Sequence, residues 1–121
     1  MSPFLVTVAS DKAGIRDLAK GHIAYYVGGM GTFYYDLLVR SGYKDVADRV
    51  RQAWAAGDRK AAAKAIPDVL LDKIALAGNP DEVKAGIKKW RELGVDLPLI
   101  FLPYGCPMDI AMETMEALAP K

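Results

Sequence analysis

The chain has 121 residues, 52% of them hydrophobic, enough for one packed core, and its 16 basic and 15 acidic residues nearly cancel. That balance, with no basic run, argues against a nucleic-acid binder, and no apolar segment approaches a bilayer span, so no membrane role is expected. A single cysteine, Cys106, excludes an internal disulfide framework and, with no signal-peptide pattern at the N-terminus, points to the cytoplasm.

Phe4–Ala9, FLVTVA, is short, apolar and rich in β-branched residues, and is predicted as a strand. Ser10 or Asp11 can cap the helix that follows, in which Ile15, Leu18, Ala19, His22 and Tyr25 or Tyr26 fall on one stripe. That helix should end at Gly28-Gly29, because the segment Gly28 to Gly31, GGMG, is too glycine-rich to continue it. Thr32 can cap a new helix carrying Phe33, Leu37 and Leu38, which Gly42 ends. Asp45–Ala56 repeats the amphipathic pattern with Val46, Val50 and Trp54, and Gly57 closes it. Asp58 caps a short alanine-rich helix that Pro67 terminates, with a further short turn through Leu71.

The best-marked stretch comes next. Ile74–Ala77 is predicted as a strand; Asn79, Pro80 and Glu82 then give a helix start its side-chain acceptor, its N1 proline and its capping-box acid. Val83, Ile87, Trp90 and Leu93 form an apolar face at helical spacing, and Gly94 supplies the left-handed stop. Pro98 can open a strand, so Leu99–Leu102 is predicted as a third one, buried on both faces. A last helix spans about Pro107 to Leu118, with Met108, Met112 and Met115 on one face as plastic core. Apolar strands joined by helices are parallel, so the fold class is α/β and helix-rich, one domain over residues 1–121. Three parallel strands leave two edges open, which another chain covers or a larger closed sheet completes.

Three segments resemble a known family: YVGGMG at Tyr26–Gly31, AWAAGDRKAA at Ala53–Ala62, and IPDVLLD through ALAGNPDEV between Ile66 and Val83. They are similar to the C-terminal part of the luciferase-like monooxygenase family, which includes oxidoreductases using coenzyme F420, such as methylenetetrahydromethanopterin reductase, and flavin-dependent monooxygenases. The resemblance covers about Phe4 to Pro103 and implies part of a (β/α)8 TIM barrel: strand six, a helical insertion, and units seven and eight. Family members are roughly two to three times as long, in keeping with the usual barrel size. The first five or so units, which in the family hold most of the cofactor, have no counterpart here. The implied cofactor is F420 or FMN in the complete enzyme, and this chain alone is not required to bind either.

Candidate site residues follow from both readings. Gly28, Gly29 and Gly31 offer backbone amides that can cradle an anion or let a flat ring approach, and otherwise simply break two helices. The pattern is not a dinucleotide fingerprint, since the third glycine and the leading strand are missing. His22, the only histidine, can serve as a general acid or base or as a core residue. Tyr25, Tyr26, Tyr34 and Tyr35 can wall a planar cofactor or the substrate side, or fill a helical interface. Gly78 and Asn79 lie where a barrel strand ends in its loop and a helix begins, a place for an anion. Cys106 lacks a marked base, and no ligand spacing suggests a metal.

Three functions compete. The chain is a piece of an F420- or flavin-dependent oxidoreductase acting on a small-molecule substrate, not active alone; or a non-catalytic oligomerising module; or a small-ligand binding protein. The expected partner is a second copy or a complementary N-terminal barrel subunit.

Overall fold

The computed structural model describes residues 5–8, 12–96, 101–103 and 105–119, with 5–8 and 12 described by backbone alone. In chain order the elements are β1 (Leu5–Val8), α1 (Lys12–Gly29), α2 (Phe33–Arg40), α3 (Lys44–Ala55), α4 (Arg59–Lys64), α5 (Asp68–Ile74), β2 (Ala75–Gly78), α6 (Pro80–Glu92) and α7 (Met108–Leu118). The described residues are therefore helix-rich with two strands. These form a parallel pair, Leu5 opposite Ala75 through Val8 opposite Gly78. Parallel pairing needs a long crossover, and α1–α5 provide it.

The chain divides into two compact units, residues 1–19 with 72–121, and residues 20–71. In the first, α6 packs against both strands and α7 against β1 and α6. Val83, 1% exposed, centres a cluster with Leu76, Ile87, Trp90, Ala117 and Leu118. Arg16 fastens this unit from α1: its Nη1 donates to the carbonyl of Ala77 at 3.1 Å and pairs with Asp72 at 2.9 Å. In the second unit α3 packs on both α2 and α4, over Leu38, Val46, Ala47, Val50 and Ala62. Within it Lys20 pairs with Asp68 at 2.9 Å.

Local signals act as the sequence implies. The side chains of Asp58 and Asn79 each accept from the backbone N–H three residues on, Ala61 and Glu82, both at 2.9 Å. Pro80 opens α6. The helix stops at Gly42, Gly57 and Gly94 all carry positive φ, 91°, 79° and 103°. At each, the residue after the glycine donates to the carbonyl five positions back: Tyr43 to Leu38 at 2.8 Å, Asp58 to Ala53 at 2.9 Å, and Val95 to Trp90 at 3.1 Å. This six-residue closure requires the left-handed residue that glycine supplies without steric cost.

Several expectations are corrected. α5 runs through Ile74, so β2 begins at Ala75 and ends at Gly78 instead of spanning Ile74–Ala77. Helix α1, by contrast, ends at Gly29, where the glycine-rich GGMG segment places its stop. Of the predicted third strand, residues 99–100 lie outside the described residues, and Phe101 and Leu102 are not in a strand. Leu93 is 76% exposed, not part of the α6 core face, since α6 ends at Glu92 and Leu93 is its C-cap. On α7 the buried side chains are Ala111 and Thr114, while Met108, Met112 and Met115 are exposed. Small residues there allow close packing, which turns the methionine face outward.

Candidate functional site

The residue types with chemistry to offer in the second unit gather on the C-terminal half of α1 and on α2 and α3. At 3.6 residues per turn, His22 and Tyr26 stand one turn apart on α1, and their rings lie 4.8 Å apart, tilted by 42°. Tyr26 meets Tyr34 of α2 edge-on at 5.0 Å, and Tyr34 meets Phe33 at 5.1 Å. In the other direction Tyr25 contacts Tyr26 at 5.6 Å and Trp54 of α3 at 5.8 Å. Edge-to-face and tilted pairs at such spacings are attractive beyond the area they bury. Six rings thus form one continuous array, with His22 buried at one place and Tyr25 and Phe33 open to solvent at others.

His22 is buried, as are Ile23, Ala24 and Val27 of the same helix; its Nε2 has no hydrogen-bond partner, and its ring lies tilted against Tyr26. Burial lowers its pKa below the ordinary 6.5, so the neutral imidazole is favoured at neutral pH. A neutral imidazole can accept a proton; a charged one would be costly here.

The glycines separate into two groups. A Cβ on Gly28 would stand 2.7 Å from both Cβ and Cγ of Trp54, and one on Gly29 would stand 2.9 Å from Cζ2 of the same ring. Both glycines therefore let α3 approach α1 closely, and as helical residues they serve that packing. Gly31 differs: its φ is +64° and nothing lies within 4 Å of where a Cβ would be. Its carbonyl accepts from Nη2 of Arg51 at 2.7 Å, which fixes the turn between α1 and α2.

Arg51 also lies over the Tyr35 ring, 4.3 Å from its centroid, and Arg59 over the Trp54 ring at 3.5 Å. The Tyr35 hydroxyl donates to Asp48 at 2.6 Å, and Lys44 pairs with the other oxygen of that carboxylate. The hydrogen bond to Asp48 raises the Tyr35 pKa, while the Lys44 ammonium and then the Tyr35 hydroxyl lower that of Asp48. Tyr35 therefore belongs to a polar surface network and not to the His22 array. Trp54, Arg51 and Arg59 were not among the predicted site residues. The sign of Arg59 was its position just past the Gly57 turn, which folds it back over Trp54.

In the first unit, Asn79 Oδ1 is taken by the Glu82 amide, and the Glu82 carboxylate lies against the space beside Gly78. The first turn of α6 also carries Asp81. Two acidic residues therefore stand in the first turn of the helix that begins after Gly78 and Asn79. Cys106 is unprimed: burial and then Asp109 raise its thiol pKa, and Sγ faces the Pro107 carbonyl at 3.6 Å. Among the described residues no three His, Cys, Asp or Glu side chains gather as metal ligands, and no helix is long and apolar enough to cross a membrane.

Residues 1–97 match the family described as luciferase-like monooxygenase. Over 99 residues the chain is 32% identical to a protein of Mycobacterium tuberculosis (strain ATCC 25618 / H37Rv) whose name places it among coenzyme F420-dependent oxidoreductases. That alignment covers 78% of this chain and 28% of the relative, so the chain spans under a third of the length of the curated protein it matches. No solved structure matches it. With most of its length inside the family match and a relative of this similarity, the chain belongs to the luciferase-like monooxygenase family.

Proposed function

We propose that this chain is part of an oxidoreductase that uses coenzyme F420, or alternatively a flavin such as FMN, and that it supplies the substrate-side wall of the cofactor site. The observation that carries this reading is the likeness, over most of the chain, to a protein named as F420-dependent. The parallel pair β1–β2 with α6 packed upon it is the repeating unit of a (β/α)8 barrel, which supports placing the chain in one part of such a barrel. The single cysteine supports a cytoplasmic setting.

When bound, the cofactor supplies the hydride chemistry, and the protein binds, orients and excludes water. Tyr25, half-exposed beside Trp54, offers a ring face for a planar group, with Tyr26 and Tyr34 behind it. His22, held neutral by burial behind Tyr26, is the candidate proton acceptor of the complete site, reached through the ring array and not by direct contact with substrate. Gly31 leaves its surroundings open for close approach. Because the first turn of α6 carries Asp81 and Glu82 beside the Gly78–Asn79 start, the cofactor phosphate is assigned to the complementary N-terminal barrel portion and not to this chain.

The test is a titration of the complete enzyme, this chain together with the complementary N-terminal barrel portion, with F420 and with FMN, followed by quenching of cofactor fluorescence. Saturable quenching by one of the two, weakened by Tyr25→Ala, is expected. Quenching by neither, or quenching that Tyr25→Ala leaves unchanged, overturns the reading and returns the chain to a non-catalytic role.

A further inference from the structure

Two helices expose an apolar stripe at helical spacing. On α7 it consists of Met108, Met112 and Met115, with Met108 74% exposed. On α2 it consists of Phe33 and Leu37, with Met30 just before the helix and Phe33 64% exposed. Exposed patches of this kind mark interaction surfaces. Their charges are opposite. Helix α7 carries Asp109, Glu113 and Glu116 and no lysine or arginine, and Asp109 and Glu116 lie toward the two ends of its stripe. At the α2 stripe, Arg40 follows Leu37 by three residues, and Arg51 sits at the other end, bound to the carbonyl of Gly31. Asp36 is the one acid on α2.

We propose that the methionine face of α7 in one copy of this chain docks on the Met30/Phe33/Leu37 face of α2 in a second copy. The stripes match in length: Phe33 to Arg40 and Asp109 to Glu116 each rise about 10 Å along their helices. Two α7 faces pair less well with each other, because Asp109 and Glu116 of both copies, four carboxylates, would meet with no lysine or arginine of α7 between them. Pairing α7 with α2 instead sets apolar side chains against apolar side chains and acids against arginines, which fixes partner and orientation. The contact is head-to-tail, so each copy has one donor face and one acceptor face, and association closes into a ring or continues as a chain.

The experiment is sedimentation of the full chain and of two helix-compatible variants, Met112→Glu and Phe33→Glu. The wild type should be larger than one chain, and each variant should dissociate more than about tenfold more readily, as loss of a central apolar anchor implies. Mixing the two variants should then restore a 1:1 complex, because Phe33→Glu keeps an intact α7 and Met112→Glu keeps an intact α2. A self-complementary contact would not be restored by mixing. Arg40→Glu, an exposed change that leaves the core alone, should also weaken association, and more so at low salt. A wild type that sediments as one chain at every concentration overturns the proposal. So do variants of unchanged mass, or a mixture that fails to pair while each variant melts like the wild type; if a variant melts early, the Arg40→Glu result decides.

Discussion

The two compact units use glycine and aromatic residues for different ends. In the unit holding β1, β2, α6 and α7, Gly86 faces the far end of the Leu76 side chain, which can swing aside. In the helical unit, Gly28 faces Cγ and also Cβ of Trp54, an atom that moves only if the α3 backbone moves. Likewise Trp90 fills in around Val83, while Trp54 is wedged between two glycines, Tyr25 and the Arg59 guanidinium. The contrast teaches that a glycine's cost of replacement depends on what the neighbouring atom is attached to, not on distance alone.

Gly28→Ala breaks the helical unit most severely. Overpacking against the Trp54 stem exceeds the gain in helix propensity, and a loss of about 2 kcal/mol is expected in urea unfolding. A stability equal to the wild type's would mean that α3 shifts freely and that the close approach is incidental. Asn79→Ala acts on the other unit through local structure alone, leaving one amide of α6 unsatisfied, and should cost about 1 kcal/mol by the same measurement. Gly86→Ala sharpens the comparison: the yielding Leu76 tip and the improved helix propensity should leave stability within about 0.5 kcal/mol of the wild type. A large loss there would erase the distinction between the two glycines.

The smallest effect at neutral pH comes from His22. Its pKa is lowered in the folded chain, so the unfolded chain takes up the proton first as pH falls. The contribution of the neutral ring is therefore whole above the ordinary value of 6.5 and is lost as pH drops from there through the lower folded value. Melting temperatures across this window should decline less in His22→Phe than in the wild type. Equal slopes would place the acid sensitivity elsewhere.

Much of the secondary structure could be read before the fold was seen, and for stated reasons. The caps at Asp58 and Asn79 and the stops at Gly42, Gly57 and Gly94 are contacts within six residues, so residue type and spacing suffice to find them. The site was less legible. GGMG looks like one unit in the sequence, yet Gly28 and Gly29 face Trp54 whereas Gly31 turns the chain, and Trp54 lies more than twenty residues away along the sequence. The tyrosines form one cluster in the sequence, but Tyr35 bonds to Asp48 while Tyr26 lies tilted against His22.

By itself the sequence determined where helices begin and end and, through its segments, the family to which the chain belongs. Only the tertiary structure decided that the methionines of α7 face outward, that Gly28 and Gly29 lie against Trp54, and that six rings touch in series. The physical reason is range. Hydrogen bonds at a helix end involve neighbours in the chain, whereas burial, close packing and ring contacts depend on which distant segments come together.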